Sequence, residues 1–212
     1  MKVGVIGSGA VGKVLAAGFK KHGHDVMIGS RDAGKLAVWA AEAGVASGSF
    51  EATAEFGEIV VLSVGGAVAG DALTLIGADR LAGKVVIDTT NPIGGGPPEK
   101  AVLHYFTGMN DSLMERLQAQ VPGARFVKAF SCVGNAYMVN PAFPGGPPTM
   151  FIAGNDAEAR ATVAGVLDQF GWEVEDLGSA AAARAIEPLC MLWCIPGLSH
   201  GRWNHAFKLL RT

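Results

Sequence analysis

Residues 7–12, Gly7-Ser8-Gly9-Ala10-Val11-Gly12, follow directly on a short apolar run, Val3, Val5 and Ile6. The run has the character of a parallel strand buried on both faces, and a G-x-G-x-x-G turn at its end leaves few folds open. The first glycine permits a tight bend, the second lets a pyrophosphate approach the backbone, and the third lets the next helix lie close to the sheet. The anion would rest on free N–H groups at that helix's N-terminus. Val11, Leu15, Gly18 and Phe19 then share one helical face, with Lys13, Lys20 and Lys21 elsewhere and Gly23 closing the helix. Asp25-Val26-Met27-Ile28-Gly29 forms the second strand, so the unit has the order and length of a mononucleotide-binding half.

The tip of that second strand discriminates between dinucleotides. An acidic residue there accepts from a ribose 2'-hydroxyl, whereas a cation accommodates a 2'-phosphate. The strand exits through Gly29-Ser30-Arg31-Asp32, with Lys35 one helical turn after Arg31. A dianionic phosphate would find a bidentate guanidinium, a hydroxyl and a second positive charge, which favours NADPH over NADH. Asp32 is expected to serve as the N-cap of the next helix.

Composition narrows the class. The 212 residues carry 17 basic and 19 acidic side chains, a formal net charge of -2 with no basic stripe, which argues against nucleic acid as a partner. Half of the residues are hydrophobic and 17% are charged, ample for one large core. A strand beginning two residues after Met1 leaves no room for a signal peptide. The most hydrophobic stretch, 180–198, is interrupted by Arg184, Glu187, Pro188 and Pro196, so it is read as a helix buried by the fold or by a second subunit and not as a membrane span. Cys132, Cys190 and Cys194 are an odd number of cysteines, read as reduced thiols in a cytoplasmic protein. The five histidines form no ligand cluster, and no metal site is expected.

Further along, helices are expected over 35–43, 51–56, 67–76, 110–120, 155–170 and 180–187. Strands are expected at 45–46, 58–62, 84–88, 125–130, 149–153 and 172–174. The alternation is that of a doubly wound α/β fold with a mostly parallel sheet and a small C-terminal extension. It reads as one compact unit: an NADP-binding core over 1–130 and a lobe over 131–212 that extends the sheet and covers the acceptor site. In an open parallel sheet the residues just past strand ends face the ligand crevice, which marks Ser63 and Val64 for the nicotinamide end. Two glycine- and proline-rich loops, 94–98 and 140–148, are either mobile covers or rigid connections.

The crevice offers hydroxyls, amides and backbone groups but no acid/base constellation, and no catalytic side chain is assigned. Lys128 lies in a strand and could face either way, Asp88 sits at a strand end, and Glu187 precedes Pro188. Hydride transfer to a carbonyl usually needs a proton donor, whereas transfer between a nicotinamide and a flavin-like ring needs stacking and orientation.

Five segments, GSGAVG at 7–12, GSRD with Lys35, DTTNP at 88–92, VKAF at 127–130 and ARAIEPLCMLW at 183–193, together resemble the NADPH-dependent reductases of the deazaflavin coenzyme F-420. The resemblance implies a Rossmann core that binds NADP(H) and a C-terminal part that helps form the deazaflavin pocket. It implies Ser8, Ala10 and Val11 at the pyrophosphate, Ser30, Arg31 and Lys35 at the 2'-phosphate, and Asn91, Pro92 and Ala129 near the nicotinamide. The chain departs from the archaeal pattern at Phe130-Ser131-Cys132 and after Ser63, both on the acceptor side.

The leading expectation is an NADPH-dependent oxidoreductase that exchanges hydride with coenzyme F-420 or a flavin such as FMN. The alternatives are reduction of a small imine or ketone, and a non-catalytic NADP(H) sensor. No membrane partner is expected, and Leu189, Leu192, Trp193, Ile195 and Leu198 point to a homodimer.

Overall fold

The computed structural model describes residues 1–212 apart from the side chain of residue 33. Strand β1 (Lys2–Ile6) leads through the glycine turn into helix α1 (Ala10–Lys21) and then β2 (Asp25–Gly29). A 3-10 turn at Ala33–Leu36 precedes α2 (Ala37–Ala43), which ends on Gly44 in the left-handed conformation. Then follow β3 (Ala46–Gly48), α3 (Phe50–Phe56), β4 (Ile59–Leu62), α4 (Ala69–Ile76) and β5 (Val85–Asp88). The last elements are α5 (Leu113–Gln120), β6 (Arg125–Lys128), β7 (Thr149–Ile152), α6 (Ala157–Gln169), β8 (Glu173–Asp176) and α7 (Ala183–His200).

Six strands form one parallel sheet in the order β3-β2-β1-β4-β5-β6. That order, with helices on both faces, is the Rossmann-type doubly wound fold expected from the element alternation. Both faces are covered, so side chains alternate between two cores while the strands remain apolar throughout. Val3, Val5, Ile59, Val61, Val85 and Ile87 face α1, α2 and α6; Ile6, Val60, Leu62, Val86 and Phe126 face α3, α4 and α5. All four residues of β4 are buried.

The C-terminal lobe departs from expectation. β7 and β8 pair with each other in parallel and form a separate two-stranded sheet, so the main sheet is not extended by a full strand. One antiparallel bridge, Lys128 to Ala153, joins the two sheets, with the Lys128 N–H donating to the Ala153 carbonyl at 2.8 Å. The cause is local: β6 ends at Lys128 instead of reaching Phe130, because Phe130 adopts φ +60 and turns the chain away from the ladder. α6 crosses back from β7 to β8 and packs Val163, Val166 and Leu167 into the same core as β1, so the lobe shares the interior of the Rossmann core.

α7 also differs. It runs to His200, 13 residues past the expected end at Glu187, with both Pro188 and Pro196 inside it. Each proline frees one carbonyl, at Arg184 and Leu192, and both residues are exposed, so water can take the missing donor's place. By length and composition the segment Ala180–His200 could cross a membrane, yet its inner face packs Ile186, Cys190 and Trp193 against the protein and carries Glu187 into the interior. The two glycine- and proline-rich loops are tied at their bases. Ile93 bridges Tyr105, Gly94 N–H donates to His104 at 2.7 Å, and Asn140 N–H donates to Phe170 at 2.9 Å.

The third glycine of the turn shows why the G-x-G-x-x-G spacing is needed. A Cβ on Gly12 would overlap the Gly7 carbonyl oxygen and lie 2.8 Å from Ser63 Oγ. Gly12→Ala is therefore expected to lower the unfolding free energy by about 2–3 kcal/mol in a urea titration. A variant as stable as the parent chain would contradict this close packing of α1 on the sheet.

Candidate functional site

Two clefts lie along the carboxyl edge of the sheet. The first, about 400 Å³, is bounded by the glycine turn, the exit of β2 and the exit of β4. Gly7 has φ +120, and a Cβ there would stand 2.6 Å from the Ser63 carbonyl oxygen. Gly9, by contrast, faces open space: a Cβ there would meet no atom within 4 Å. α1 starts immediately behind it with no side-chain cap and no acidic residue in its first turn, so the positive end of the helix dipole is uncompensated. This bare cradle suits a diphosphate, which needs backbone N–H groups and room against Gly9.

Ser8, Ser30, Arg31 and Lys35 line the outer end of the same cleft. The Ser8 and Ser30 hydroxyls lie 3.4 Å apart, and Ser30 Oγ accepts from the Asp32 N–H at 3.2 Å. Asp32 occupies the expected N-cap position but its side chain caps nothing; its carboxylate instead pairs with Lys35 at 3.3 Å. Lys35 is thus not a free second cation. Its pair is strongly exposed, however, and such contacts are weak enough for a dianion to compete. Arg31 is exposed and has no ionic partner among the described residues.

The second cleft, about 380 Å³, is bounded by Val11, Thr89, Thr90, Asn91 and Ile93. Ser63, Val64 and Gly65 line both clefts, so the two form one groove across the point where strand order reverses between β1 and β4. Ser63 Oγ is occupied, donating to the Ile6 carbonyl at 2.8 Å, and Thr89 Oγ1 donates to Leu62 at 3.0 Å. Asn91 donates Nδ2 to the Ser131 carbonyl at 2.9 Å while its buried Oδ1 has no partner among the described residues. Pro92 and Ala129, expected near the nicotinamide, are buried behind this wall and do not form its surface. Ala129 follows β6 directly and donates its N–H to the Asp88 carbonyl at 3.0 Å, which holds it in the core. Gly12 is buried where α1 meets the sheet, while Ala10 is exposed at the first turn of α1 beside Gly9; neither lines the walls of the two clefts.

Beneath the second cleft lies a group that sequence reasoning treated as three separate residues. Lys128, 0% exposed, places Nζ 2.7 Å from Asp88 Oδ2, 2.8 Å from Glu187 Oε1 and 2.7 Å from the Thr90 carbonyl oxygen. Asp88 Oδ1 accepts from the Thr90 N–H at 2.9 Å and from its hydroxyl at 2.7 Å. Glu187 reaches from α7 to the start of α5 and accepts the N–H groups of Leu113 and Met114 at 2.9 and 3.0 Å. Burial alone would lower the Lys128 pKa, but the two carboxylates outweigh it and hold the ammonium above its ordinary value. The helix N-terminus accommodates the extra negative charge.

Tyr105 Oη donates to the Glu187 carbonyl at 2.9 Å, and burial raises its pKa. Burial also pushes the Cys132 thiol up to about 12, which makes it inert. A hydrogen bond from Cys194 lowers the Cys190 pKa.

The sequence pattern of the family described as NADP oxidoreductase, coenzyme F-420-dependent, matches residues 2–92. A crystal structure from Arthrobacter sp. FB24, provisionally described as an F-420-dependent NADP reductase, superposes with a TM-score of 0.93 and 36% identity over the whole of both chains. The chain belongs to this family. It is an NADP-dependent oxidoreductase with a Rossmann fold. It is also 30% identical over 201 residues to the rat (Rattus norvegicus) metalloreductase STEAP3, covering 93% of this chain but only 38% of that protein's length. An imine reductase from Streptomyces aurantiacus shares the fold, with a TM-score of 0.68 and 19% identity over 93% of this chain and 63% of the reductase.

The buried cluster explains why the later family segments occur together. DTTNP contributes Asp88, VKAF contributes Lys128, and ARAIEPLCMLW contributes Glu187. Their joint occurrence was the signal; no local pattern connects positions so far apart. Glu187→Ala removes one counter-charge and bares the start of α5. It is expected to lower stability by about 3–5 kcal/mol in denaturant titrations, the usual cost of breaking a buried ion pair. A loss below about 1 kcal/mol would mean that the contact is no stronger than a surface pair.

Proposed function

We propose that this oxidoreductase passes hydride between NADP(H) and a planar ring acceptor, coenzyme F-420 or a flavin such as FMN. One observation carries the reading: the wall of the second cleft consists of hydroxyls, one amide, backbone and aliphatic groups, with no ionisable side chain on it. The charges of Lys128, Asp88 and Glu187 behind Thr90 are buried and paired with one another. A ketone or imine would need a proton delivered as hydride arrives, whereas a flavin-like ring needs orientation and exclusion of water.

The dinucleotide fits the residues present. Gly9 and the first turn of α1 hold the diphosphate, with Ser8, Ala10 and Val11 alongside. Ser30 and Arg31 hold the 2'-phosphate, and Lys35 exchanges its Asp32 partner for that dianion. Ser63 and Val64 bridge the two ends of the groove, and Asn91 offers Oδ1 to a carboxamide N–H. When bound, the nicotinamide supplies or accepts the hydride at the second cleft. Ile93, at the base of the tied loop 93–105, lines the second cleft, and Ser131, the first residue of the lobe assigned to the acceptor side, holds Asn91 through its carbonyl. Leu192, Leu198 and Leu210 are exposed at 54%, 40% and 82%, which supports a homodimer through α7 and the tail. A cytoplasmic setting, with a small-molecule acceptor as partner, completes the reading.

Arg31→Ala is expected to lower the preference for NADPH over NADH by about 10- to 100-fold in equilibrium binding, the worth of one charge-assisted hydrogen-bonding partner. An unchanged ratio would remove the phosphate assignment. NADPH oxidation by the purified protein under anaerobic conditions should appear on adding coenzyme F-420 or FMN and stay absent with keto acids and cyclic imines. The reverse pattern would replace the ring acceptor with a carbonyl or imine.

A further inference from the structure

We propose that Lys128 is a positioning residue for the nicotinamide, acting through Thr90 to fix the acceptor that Asn91 presents. The inference rests on the reading above only in that the nicotinamide end of NADP(H) occupies the second cleft. All three polar atoms of Thr90 are held by one ion pair: its N–H and hydroxyl donate to Asp88 Oδ1 at 2.9 and 2.7 Å, and its carbonyl accepts from Lys128 Nζ at 2.7 Å. The ammonium donates to the Thr90 carbonyl and sits in ion-pair contact with Asp88 Oδ2 at 2.7 Å and Glu187 Oε1 at 2.8 Å. With 0% exposure, any movement of Lys128 would leave a buried charge unpaired, so the Thr90 peptide cannot shift without breaking the cluster.

What Thr90 fixes is the next residue. Asn91 ties Nδ2 to the Ser131 carbonyl at 2.9 Å, which leaves Oδ1 as a bare buried acceptor at the cleft wall. A buried acceptor without a donor is costly, and a carboxamide N–H is the complementary group. The ring can otherwise rotate about its ribose bond, so an acceptor held from behind selects one ring orientation. The buried charge therefore acts on the reacting ring without touching it: Lys128 holds Thr90, Thr90 places Asn91, and Asn91 orients the carboxamide.

Binding separates this role from general support of the fold. Calorimetric affinities would be measured for NADPH and for 2'-phospho-ADP-ribose, which lacks only the nicotinamide, on the full chain and on Thr90→Val, Thr90→Ser and Lys128→Met. Thr90→Val, near-isosteric but without the hydroxyl, should weaken NADPH by about tenfold, leave the fragment unchanged, and be rescued by Thr90→Ser. Lys128→Met, if it folds, should weaken NADPH further while still sparing the fragment. Equal weakening of both ligands, no weakening of either, or a serine variant as poor as valine would overturn the proposal. No acceptor enters the experiment, so a wrong acceptor assignment cannot mimic any of these results. A parent chain that binds NADPH no tighter than the fragment would overturn the placement of the nicotinamide as well.

Discussion

An ammonium group sealed from water must be matched by carboxylates at close range, and Lys128 is matched from two directions. Asp88 reaches it from the end of β5 and Glu187 from α7, a helix that enters the fold 55 residues after β6. Breaking either contact would leave a charge in the interior at a cost of about 3–5 kcal/mol, a large share of the roughly 5–15 kcal/mol that holds a domain folded. The cluster therefore fixes how the C-terminal helix sits on the Rossmann core. Through Glu187 it also closes the N-terminus of α5. The last third of the chain is in this way tied electrostatically to the strand ends that form the ligand groove.

The two halves of that groove rest on different physics. At the dinucleotide's phosphate end, backbone geometry does most of the work: Gly7 bends with φ +120, Gly12 lets α1 approach, and Gly9 leaves open space for an anion. Side chains there are exposed and loosely paired, as the Lys35–Asp32 contact shows. At the nicotinamide end the polar groups are buried and committed, with Ser63, Thr89 and Thr90 each bonded to the sheet. One end suits electrostatic capture of a charged ligand. The other suits fixed presentation of a ring, and its unpartnered Asn91 Oδ1 is the exception that a ligand can satisfy.

Much of this was legible in the sequence because it is local. The continuous apolar runs of β1, β4 and β5, the glycine spacing and the alternation of strands with helices made the parallel core readable, and the residues at the β2 exit do converge on one cleft. The misreadings have specific causes. Pro188 marked a helix end, but a helix continues past proline where the freed carbonyl faces solvent and the inner face is packed. Phe130 looked like the last residue of a strand, and only its positive φ shows that β6 has already stopped. Ser112-Leu113-Met114-Glu115 carries a capping box that places the start of α5 at Leu113 and not at 110, a local signal that was available. Ala129 and Pro92 fell next to groove residues in sequence yet point into the core. The ion cluster was beyond local reading, since neither periodicity nor spacing relates positions 88, 128 and 187.

A crystal structure of the chain grown with NADP+ joins these points in one observation. The adenosine 2'-phosphate should lie within hydrogen-bonding distance of Arg31 and Ser30, the diphosphate should rest against Gly9, and the carboxamide nitrogen should meet Asn91 Oδ1. A 2'-phosphate directed into solvent away from Arg31, or a nicotinamide lying outside the cleft bounded by Thr90 and Asn91, would contradict the proposed course of the dinucleotide along the sheet edge.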